Sequence, residues 1–594
     1  MLFGKYVNKY YLKYALYFII GLLALIIVDY KQLDIPKILG GIVNSLKDGE
    51  AIDIKQIVVD VLIVAAVLTI GRITWRLTLL SASKKIEASL RKEMFLKAER
   101  LSQRYYHENK VGNIMSWFTT DLETIEEFYS WGTIMLVDAI FLSIFVIVEM
   151  LRIDWVLSLM AFIPIILIIV WGGLVEKFMA MKWDKRQKAF DELYDFSQEN
   201  FTGIRVIKAF VKENQELHAF ARVARKNYDV NIDFVKTSVI FDVIIEIICA
   251  AILCLLLGFG SYFSYRFLSG NSVVIFSHVI NLKAGDLVTF ITFFDSLIWP
   301  MIALGQIISM RSRAKASLKR VSFFLDQEEE IVNPKNAITL KDVKGEIEFR
   351  NFNFIYPDGV DKSLKNISFK IKAGETIGIV GKIGSGKTTL VNSLLRLYNI
   401  DAKTLFIDGY DIMDCDIRSV RDAIGYVPQD NFLFSDKIRN NIAFSNQTLD
   451  YDQVIGAAKF ADVDDNIKAF KEGYDTISGE RGVTLSGGQK QRVSIARAFI
   501  KNAPIMIMDD SVSAVDVKTE ETILHNIKEY RRDKTTIVIA SRVSTVAHLD
   551  KVLVLNDGCL EAYGTHEELL ASSPTYQKMV YLQALEREVE GGNL

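Results

Sequence analysis

The sequence predicts a two-domain protein, in which an all-α membrane domain of six spanning helices precedes a soluble α/β domain. The chain has 594 residues, half of them hydrophobic, and this length exceeds the usual size of one domain. The long apolar runs all begin before residue 290, whereas strand-like and helical segments alternate later. We therefore expect a membrane domain over 1–320, a linker over 321–344, the α/β domain over 345–585 and a tail over 586–594.

The first half of the chain contains six apolar runs whose lengths approach the roughly 20 residues that a membrane-spanning helix needs. They cover residues 14–29, 57–78, 133–150, 155–175, 240–263 and 287–309. Basic residues are frequent before the first run and in the long connections 81–130 and 174–236, but sparse in the short ones. Basic segments stay in the cytoplasm, so both termini and the α/β domain are expected there. The expected location is the plasma or inner membrane of a bacterium.

Charge and cysteine content favour no other class of protein. The net charge is only −2 and no block of Lys or Arg stands out, so nucleic acid is not an expected partner. The four cysteines show neither the spacing of a metal site nor that of a disulfide framework. The lipid bilayer is therefore the first expected partner.

A glycine-rich loop in the second half indicates nucleotide binding. The segment GKIGSGKTT, residues 381–389, follows a strand-like stretch and precedes the helical TTLVNSLLRLY, which is the context that a phosphate-binding loop requires. Backbone N–H groups of such a loop close on phosphates at a helix N-terminus, while Lys387 adds positive charge and Thr388 a magnesium ligand. The predicted nucleotide-binding residues are Gly381, Lys382, Ile383, Gly384, Ser385, Gly386, Lys387, Thr388 and Thr389.

The stretch MIMDDSVSAVD, residues 506–516, supplies a second part of this site. Its apolar beginning predicts a buried strand that delivers Asp509 to a magnesium ion. The expected ligands of this site are therefore a nucleotide and Mg²⁺.

The segment LSGGQKQR, residues 485–492, makes the chain resemble the ABC transporter family, and in particular an exporter half-transporter. The resemblance implies that this signature contacts a γ-phosphate bound on another subunit. It also implies a second homologous half-transporter as partner, because two such domains sandwich two nucleotides. The implied signature residues are Leu485, Ser486, Gly487, Gly488 and Gln489.

Other positions match the family as well. Tyr356 resembles the aromatic residue that stacks on adenine, and Gln429 resembles the glutamine that contacts magnesium and faces the membrane domain. Residues 107–125 and 199–210 resemble the two intracellular loops whose short helices dock on the nucleotide domains. The loop that reaches the opposite nucleotide site, called the D-loop, corresponds to Ser513, Ala514, Val515 and Asp516.

Two positions depart from the family pattern at the catalytic site. Asp510 replaces the glutamate that positions the attacking water, and a displacement of about 1 Å in such a group costs on the order of 100-fold in rate. Ser541 replaces a histidine, and serine cannot carry the positive charge that stabilises developing negative charge. We therefore expect a site that holds ATP but hydrolyses it poorly, in a heterodimer. The alternative is a homodimer with two slow, equal sites.

Carboxylates inside the apolar runs suggest where a substrate binds, because such groups are costly in a membrane. Asp295 lies in the sixth run, Asp242 and Glu246 share a face of the fifth, and Asp138 lies in the third. They are candidates for a cavity that accepts hydrophobic or amphipathic compounds, and the alternative is that they sit in cytoplasmic water. The expected function is ATP-driven multidrug-type export by alternating access. A homodimeric lipid or peptide flippase and an ATP-gated channel or sensor are the alternatives.

Overall fold

The computed structural model describes residues 5–275, 278–357, 359, 361–512 and 515–591. The chain divides into two compact units. The membrane unit comprises Met1–Leu96 and Gly112–Asp326, and the nucleotide unit comprises Lys97–Val111 and Gln327–Leu594.

Helices dominate the chain up to residue 326. They are α1 Lys5–Lys13, α2 Ala15–Gln32, α3 Asp34–Asp48, α4 Ile54–Trp75, α5 Ser81–Arg100, α6 Gln103–Glu108, α7 Val111–Ser116, α8 Leu122–Glu127, α9 Thr133–Ile153, α10 Trp155–Thr202, α11 Ile204–Ala209, α12 Glu213–Leu268, α13 Ala284–Ser296 and α14 Ile298–Leu325. Short π-helical stretches at Arg76–Leu80, Trp117–Asp121 and Phe128–Gly132 join neighbouring helices. The two strands of this part are β1 Val273–Ile275 and β2 His278–Ile280.

Five helical stretches of the described residues are long and apolar enough to cross a membrane, and they contain five of the six predicted runs. They are Ala15–Asp48, Ile54–Arg100, Val111–Ile153, Glu213–Leu268 and Ala284–Leu325. The remaining predicted run, 155–175, lies in α10, and its side chains at 164–174 are outside the described residues. At 1.5 Å per residue, α10 and α12 are about 70 and 80 Å long, which is more than twice the thickness of a hydrocarbon core of about 30 Å. These two helices therefore extend well beyond a bilayer.

The sixth predicted span is broken into α13 and α14 at Leu297. Pro300 lies one turn further on, and a proline ring clashes with the carbonyl group four residues earlier, here that of Ser296. The break therefore follows from the position of Pro300.

The stretch 107–125, in which the first intracellular loop is expected, contains the end of α6 followed by α7 and α8. Docking of this loop on a nucleotide domain stays a prediction. The second loop does contain its short helix, α11, within the predicted 199–210.

The nucleotide unit contains the remaining elements. Its strands are β3 Ile347–Phe354, β4 Leu364–Ile371, β5 Thr376–Gly381, β6 Leu405–Ile407, β7 Tyr410–Asp411, β8 Ile424–Val427, β9 Ile505–Asp509, β10 Thr535–Ile539, β11 Lys551–Asn556 and β12 Cys559–Gly564. Its helices are α15 Lys387–Leu394, α16 Ile417–Asp422, α17 Ile438–Ile442, α18 Tyr451–Phe460, α19 Asp464–Lys468, α20 Gly487–Ile500, α21 Val517–Tyr530, α22 Val543–Val546, α23 His566–Ser572 and α24 Pro574–Gly591.

Two sheets organise this unit. The larger sheet of the described residues has the order β12-β11-β5-β10-β9-β8, and the smaller one has the order β4-β3-β6-β7. All neighbours in the larger sheet pair in parallel except β11 with β12. The carboxyl ends of β5, β8, β9 and β10 therefore meet at one edge, where ligands of open α/β sheets bind. This confirms the predicted α/β domain.

Candidate nucleotide-binding site

The glycine-rich loop connects β5 to α15 at this edge of the sheet. Gly384 and Gly386 have φ values of 82° and 98°, a left-handed conformation that favours glycine. The Lys387 ammonium group donates hydrogen bonds to the carbonyl oxygens of Gly381 and Lys382, at 2.8 and 2.9 Å. Burial lowers the pKa of Lys387, and the charges of Asp510 and Asp509 oppose this shift. Two backbone carbonyl groups of the loop thus hold the Lys387 side chain at the N-terminus of α15.

Asp509 ends β9 beside this loop and is almost fully buried, with 1% of its surface exposed. The Thr388 hydroxyl donates to one carboxylate oxygen of Asp509 at 3.4 Å, and the other oxygen has no hydrogen-bond partner among the described residues. Burial raises the pKa of Asp509, and the hydrogen bond from Thr388 partly offsets this. A buried carboxylate with an unsatisfied oxygen next to a hydroxyl suits a hard cation such as Mg²⁺.

Asp510 and Ser541 lie next to each other where β9 and β10 end. The Ser541 hydroxyl donates to a carboxylate oxygen of Asp510 at 3.4 Å. The Asp510 backbone has a φ of 46°, its N–H donates to the carbonyl of Ile539 at 3.0 Å, and its carbonyl accepts from Gln491 at 3.3 Å. The two departures from the family pattern therefore contact each other directly.

Tyr356 follows the end of β3, and Gln429 follows the end of β8. The Tyr356 hydroxyl shares a hydrogen bond of 3.0 Å with Thr389, and its ring packs edge-on against Tyr398 at 5.3 Å. Gln429 is exposed just after β8, and β8 pairs with β9 so that Val427 lies opposite Met508. The structure brings both residues to the loop or its sheet edge, and their contacts with adenine and Mg²⁺ stay predictions.

The signature residues form the start of α20. Ser486 accepts a hydrogen bond from the Gln489 N–H at 3.3 Å, and the Gln489 side chain accepts one from the Ser486 N–H at 2.9 Å. This capping box satisfies two backbone donors, while Leu485 is buried beneath it. Ser486 and Gly487 remain exposed, so the motif presents a preformed helix N-terminus with Gly488 in its first turn.

The D-loop is described only in part, because Ser513 and Ala514 lie outside the described residues. Val515 leads to Asp516, which caps α21 by accepting a hydrogen bond from the Thr519 N–H at 3.0 Å. This backbone hydrogen bond lowers the pKa of Asp516. The cap fixes the end of the D-loop to α21.

The membrane carboxylates fall into two groups. The indole N–H of Trp299 donates to Asp138 at 2.7 Å, and Asp138 also contacts Asp29. Asp29 is 2% exposed and has one carboxylate oxygen without a hydrogen-bond partner among the described residues. Sequence reasoning missed Asp29, although the rule that selected Asp138 also applies to it, since it ends the first apolar run.

The second group consists of exposed acids. Asp295 of α13 and Asp242 and Glu246 of α12 are all exposed. Their place in a substrate cavity stays a prediction.

Two glutamines near the catalytic carboxylate were also missed. Gln491 holds the Asp510 carbonyl from α20, and Gln583 contacts the backbone around Ser541 from α24. Gln491 lies in the signature segment 485–492, but nothing in that segment indicates its hydrogen bond to the Asp510 carbonyl. Gln583 lies in none of the motifs described above, and its contacts span 40 or more residues of sequence, so no signal in the sequence alone could have identified it.

Fold and site together define a membrane protein that carries an α/β domain built to bind nucleotide phosphates. The chain matches the family model of the ABC transporter transmembrane region over residues 18–301, and that of the ABC transporter over residues 364–513.

Proteins of known sequence and structure agree with these matches. The chain is 33% identical over 592 residues to the "Probable multidrug resistance ABC transporter ATP-binding/permease protein YheI" of Bacillus subtilis, covering 99% of this chain and 98% of that protein. It is 33% identical over 506 residues to an ATP-dependent lipid A-core flippase of Syntrophus aciditrophicus, covering 85% and 82%. A solved bacterial Atm1-family ABC exporter with ATP bound superposes with a TM-score of 0.75 at 26% identity, covering 95% and 97%.

The chain therefore belongs to the ABC transporter family. It is a half-transporter in which the transmembrane region is fused to the ATP-binding region, and its activity is ATP-driven export.

Proposed function

We propose that this chain is one subunit of a heterodimeric exporter and that its own site binds ATP with Mg²⁺ but hydrolyses it slowly. The observation that carries the proposal is the contact between Asp510 and Ser541, the residues at the positions of the family's catalytic glutamate and histidine. Both replacements occupy the site, and they contact each other at 3.4 Å.

This pair suits ATP binding better than hydrolysis. The Asp510 side chain is one methylene shorter than glutamate, and Ser541 directs its hydroxyl at that carboxylate. A carboxylate displaced by about 1 Å loses on the order of 100-fold in rate. A neutral hydroxyl also stabilises developing phosphate charge less than an imidazolium group does. The ATP-binding parts, by contrast, are complete at Lys387, Thr388 and Asp509.

The signature supports the need for a partner. Ser486 and Gly487 form an exposed, capped helix N-terminus, which is a site for an anionic phosphate group. In the proposed dimer this terminus completes the partner's nucleotide site, where the partner supplies the glutamate and the histidine. The partner is thus a second half-transporter with an intact catalytic pair.

We further propose that the cargo is a hydrophobic or amphipathic compound and that export proceeds out of a bacterial cell. YheI carries multidrug resistance in its name, and Asp138, Asp295 and Glu246 provide carboxylates for a cationic amphiphile. In this arrangement the nucleotide domain and both termini face the cytoplasm, where ATP is available.

The decisive experiment is to purify this chain alone and together with the proposed partner, and to measure ATP hydrolysis by both preparations. A neighbouring reading frame that encodes a similar chain with glutamate and histidine at the two positions identifies that partner. We expect little hydrolysis by the chain alone and brisk hydrolysis by the pair. Brisk hydrolysis by the solitary chain would instead favour a homodimer with two working sites.

A second candidate function is lipid translocation, which the likeness to a lipid A-core flippase favours. Reconstitution into proteoliposomes separates the two candidates, because fluorescent lipids and cationic dyes can be followed in parallel. ATP-dependent movement of lipid without movement of dye would support the flippase. Ion conductance without transport of either probe would support a channel or sensor.

A further inference from the structure

The C-terminal helix α24 packs one face against the end of the larger sheet. Tyr576 is fully buried, and Met579 and Val580 contact the same hydrophobic cluster as Val543 and Val546 of α22. Since residues three and four apart share a helix face, Gln583 continues the face that Tyr576, Met579 and Val580 define. The helix therefore aims Gln583 at the segment around Ser541.

Gln583 holds this segment by two backbone hydrogen bonds. Its side-chain oxygen accepts from the Val543 N–H at 2.8 Å, and its side-chain nitrogen donates to the Ser541 carbonyl at 3.2 Å. Two hydrogen bonds from one planar amide fix both the distance and the orientation of the backbone that they bracket. Ser541 itself then contacts Asp510.

Side-chain hydrogen bonds hold the N-terminal end of α24 in place. The carboxylate of Glu561 in β12 accepts from the Ser573 hydroxyl at 2.6 Å and from the Thr575 N–H at 3.0 Å. The Tyr576 hydroxyl shares a hydrogen bond of 2.7 Å with His566. These contacts hold α24 in place independently of Gln583.

The segment after Ser541 also has a second attachment, which is independent of α24. The Thr545 hydroxyl of α22 donates to the buried carboxylate of Glu520 in α21. Loss of the Gln583 side chain therefore leaves α22 packed and bonded on its other side. It releases only the backbone of Ser541 and Val543.

From this geometry we propose that Gln583 is a positioning residue for ATP hydrolysis, which acts through the backbone of Ser541. It fixes where the side chain at position 541 stands relative to the carboxylate at position 510. The C-terminal helix, which carries no nucleotide motif, thereby sets the hydrolysis rate of this chain's own site. This inference rests on the family's ATP hydrolysis and deepens the proposed role of Asp510 and Ser541.

The first test needs no turnover. Hydrogen exchange of the full-length chain is followed in peptides covering residues 541–549, for the wild type, Gln583→Ala and Gln577→Ala. Gln577 lies on the same helix and donates to the Leu570 carbonyl at 2.7 Å, so it is a matched control. We expect Gln583→Ala to raise exchange at Val543 by on the order of 10-fold, while Gln577→Ala leaves it unchanged. Unchanged exchange in Gln583→Ala would overturn the proposal.

The second test measures hydrolysis in the background Asp510→Glu with Ser541→His, in which the chain's own site regains the family's catalytic pair. There we expect Gln583→Ala to lower kcat on the order of 10-fold, because a small misplacement of a catalytic group is costly. KM for ATP should change by less than about 2-fold, because the phosphate loop is untouched. Gln583→Glu should lower kcat as well, since it keeps the acceptor for Val543 but loses the donor to Ser541.

The two tests separate this inference from the proposed function. If the double substitution failed to raise hydrolysis, the slow-site proposal would be at fault, and the exchange measurement would still decide whether Gln583 holds the segment. Should kcat in the restored background fall no further with Gln583→Ala than with Gln577→Ala, the positioning role would be overturned.

Discussion

Asp510 combines a shortened catalytic side chain with a left-handed backbone, at a φ of 46°. Aspartate tolerates this conformation better than glutamate does, and a residue other than glycine held there costs of order 1–3 kcal/mol. We predict that Asp510→Glu with Ser541→His raises hydrolysis at this chain's own site by about 10- to 100-fold. The same change should destabilise the nucleotide unit by roughly 1 kcal/mol.

The control for this prediction is Asp557→Glu. Asp557 has the same φ of 46° and is exposed in the turn between β11 and β12, away from the catalytic pair. It should reproduce the small loss of thermal stability without any change in hydrolysis. ATPase assays and thermal unfolding of the full chain measure both effects, and unchanged hydrolysis in the double variant would contradict the prediction.

Asp509 makes the site sensitive to acid. Its folded pKa is raised by burial, so the carboxylate takes up a proton at a higher pH than an ordinary aspartate. Because magnesium requires the deprotonated form, binding of Mg²⁺ and ATP should weaken as the pH falls towards the raised pKa of Asp509. Titration with a fluorescent ATP analogue, with and without Mg²⁺, measures this. In Asp509→Asn the magnesium-dependent part should vanish at every pH, and a magnesium effect independent of pH in the wild type would refute the prediction.

Sequence reasoning succeeds at this scale where a motif links residue type to spacing. Thr388 follows the loop glycines directly and Asp509 ends an apolar strand, and the structure places the two side chains 3.4 Å apart. The hydrogen bonds of Gln491 and Gln583 could not be predicted, because neither the signature segment around Gln491 nor the helix around Gln583 indicates which distant backbone group the side chain contacts. Such contacts become visible only when the packing of α20 and α24 is known.

At the scale of elements, periodicity predicts the presence of helices and strands better than their breaks. The apolar runs and the strands around the phosphate loop were recognised from sequence, whereas the lengths of α10 and α12 are known only from the structure. The break between α5 and α6 was not predicted, because the charged stretch before it is helical throughout α5. Helical periodicity continues across such a junction and does not mark where one helix ends.

The connection between α12 and α13 illustrates a different limit. The structure pairs β1 with β2 and buries Ile280 and Leu282 in a hydrophobic cluster with residues of α9, α10 and α12. His278 contacts the buried carboxylate of Asp154, which also caps α10. Alternation over three residues is too short to predict a strand, so only tertiary packing defines this hairpin.

At the scale of the whole molecule, the proposed heterodimer gives this chain unequal roles in two nucleotide sites. Its phosphate loop and Asp509 belong to a site that lacks the usual catalytic pair, while its signature is intact and capped. In a homodimer of such chains, both nucleotide sites would contain Asp510 and Ser541 in place of the family's glutamate and histidine. A heterodimer uses the intact signature where hydrolysis is efficient, which is why the signature is the most informative place for a substitution.

We therefore predict that Ser486→Ala in this chain lowers ATP hydrolysis of the assembled pair by at least about 10-fold, because it removes a donor to the partner-bound phosphate. The substitution also removes a helix cap, which costs about 1 kcal/mol. Thr565→Ala is the matched control, since Thr565 caps α23 with Glu568 by the same capping box, outside the nucleotide motifs. Hydrolysis should fall with Ser486→Ala and persist with Thr565→Ala, while both variants lose similar thermal stability. Equal hydrolysis in the two variants would show that this signature does not serve the efficient site.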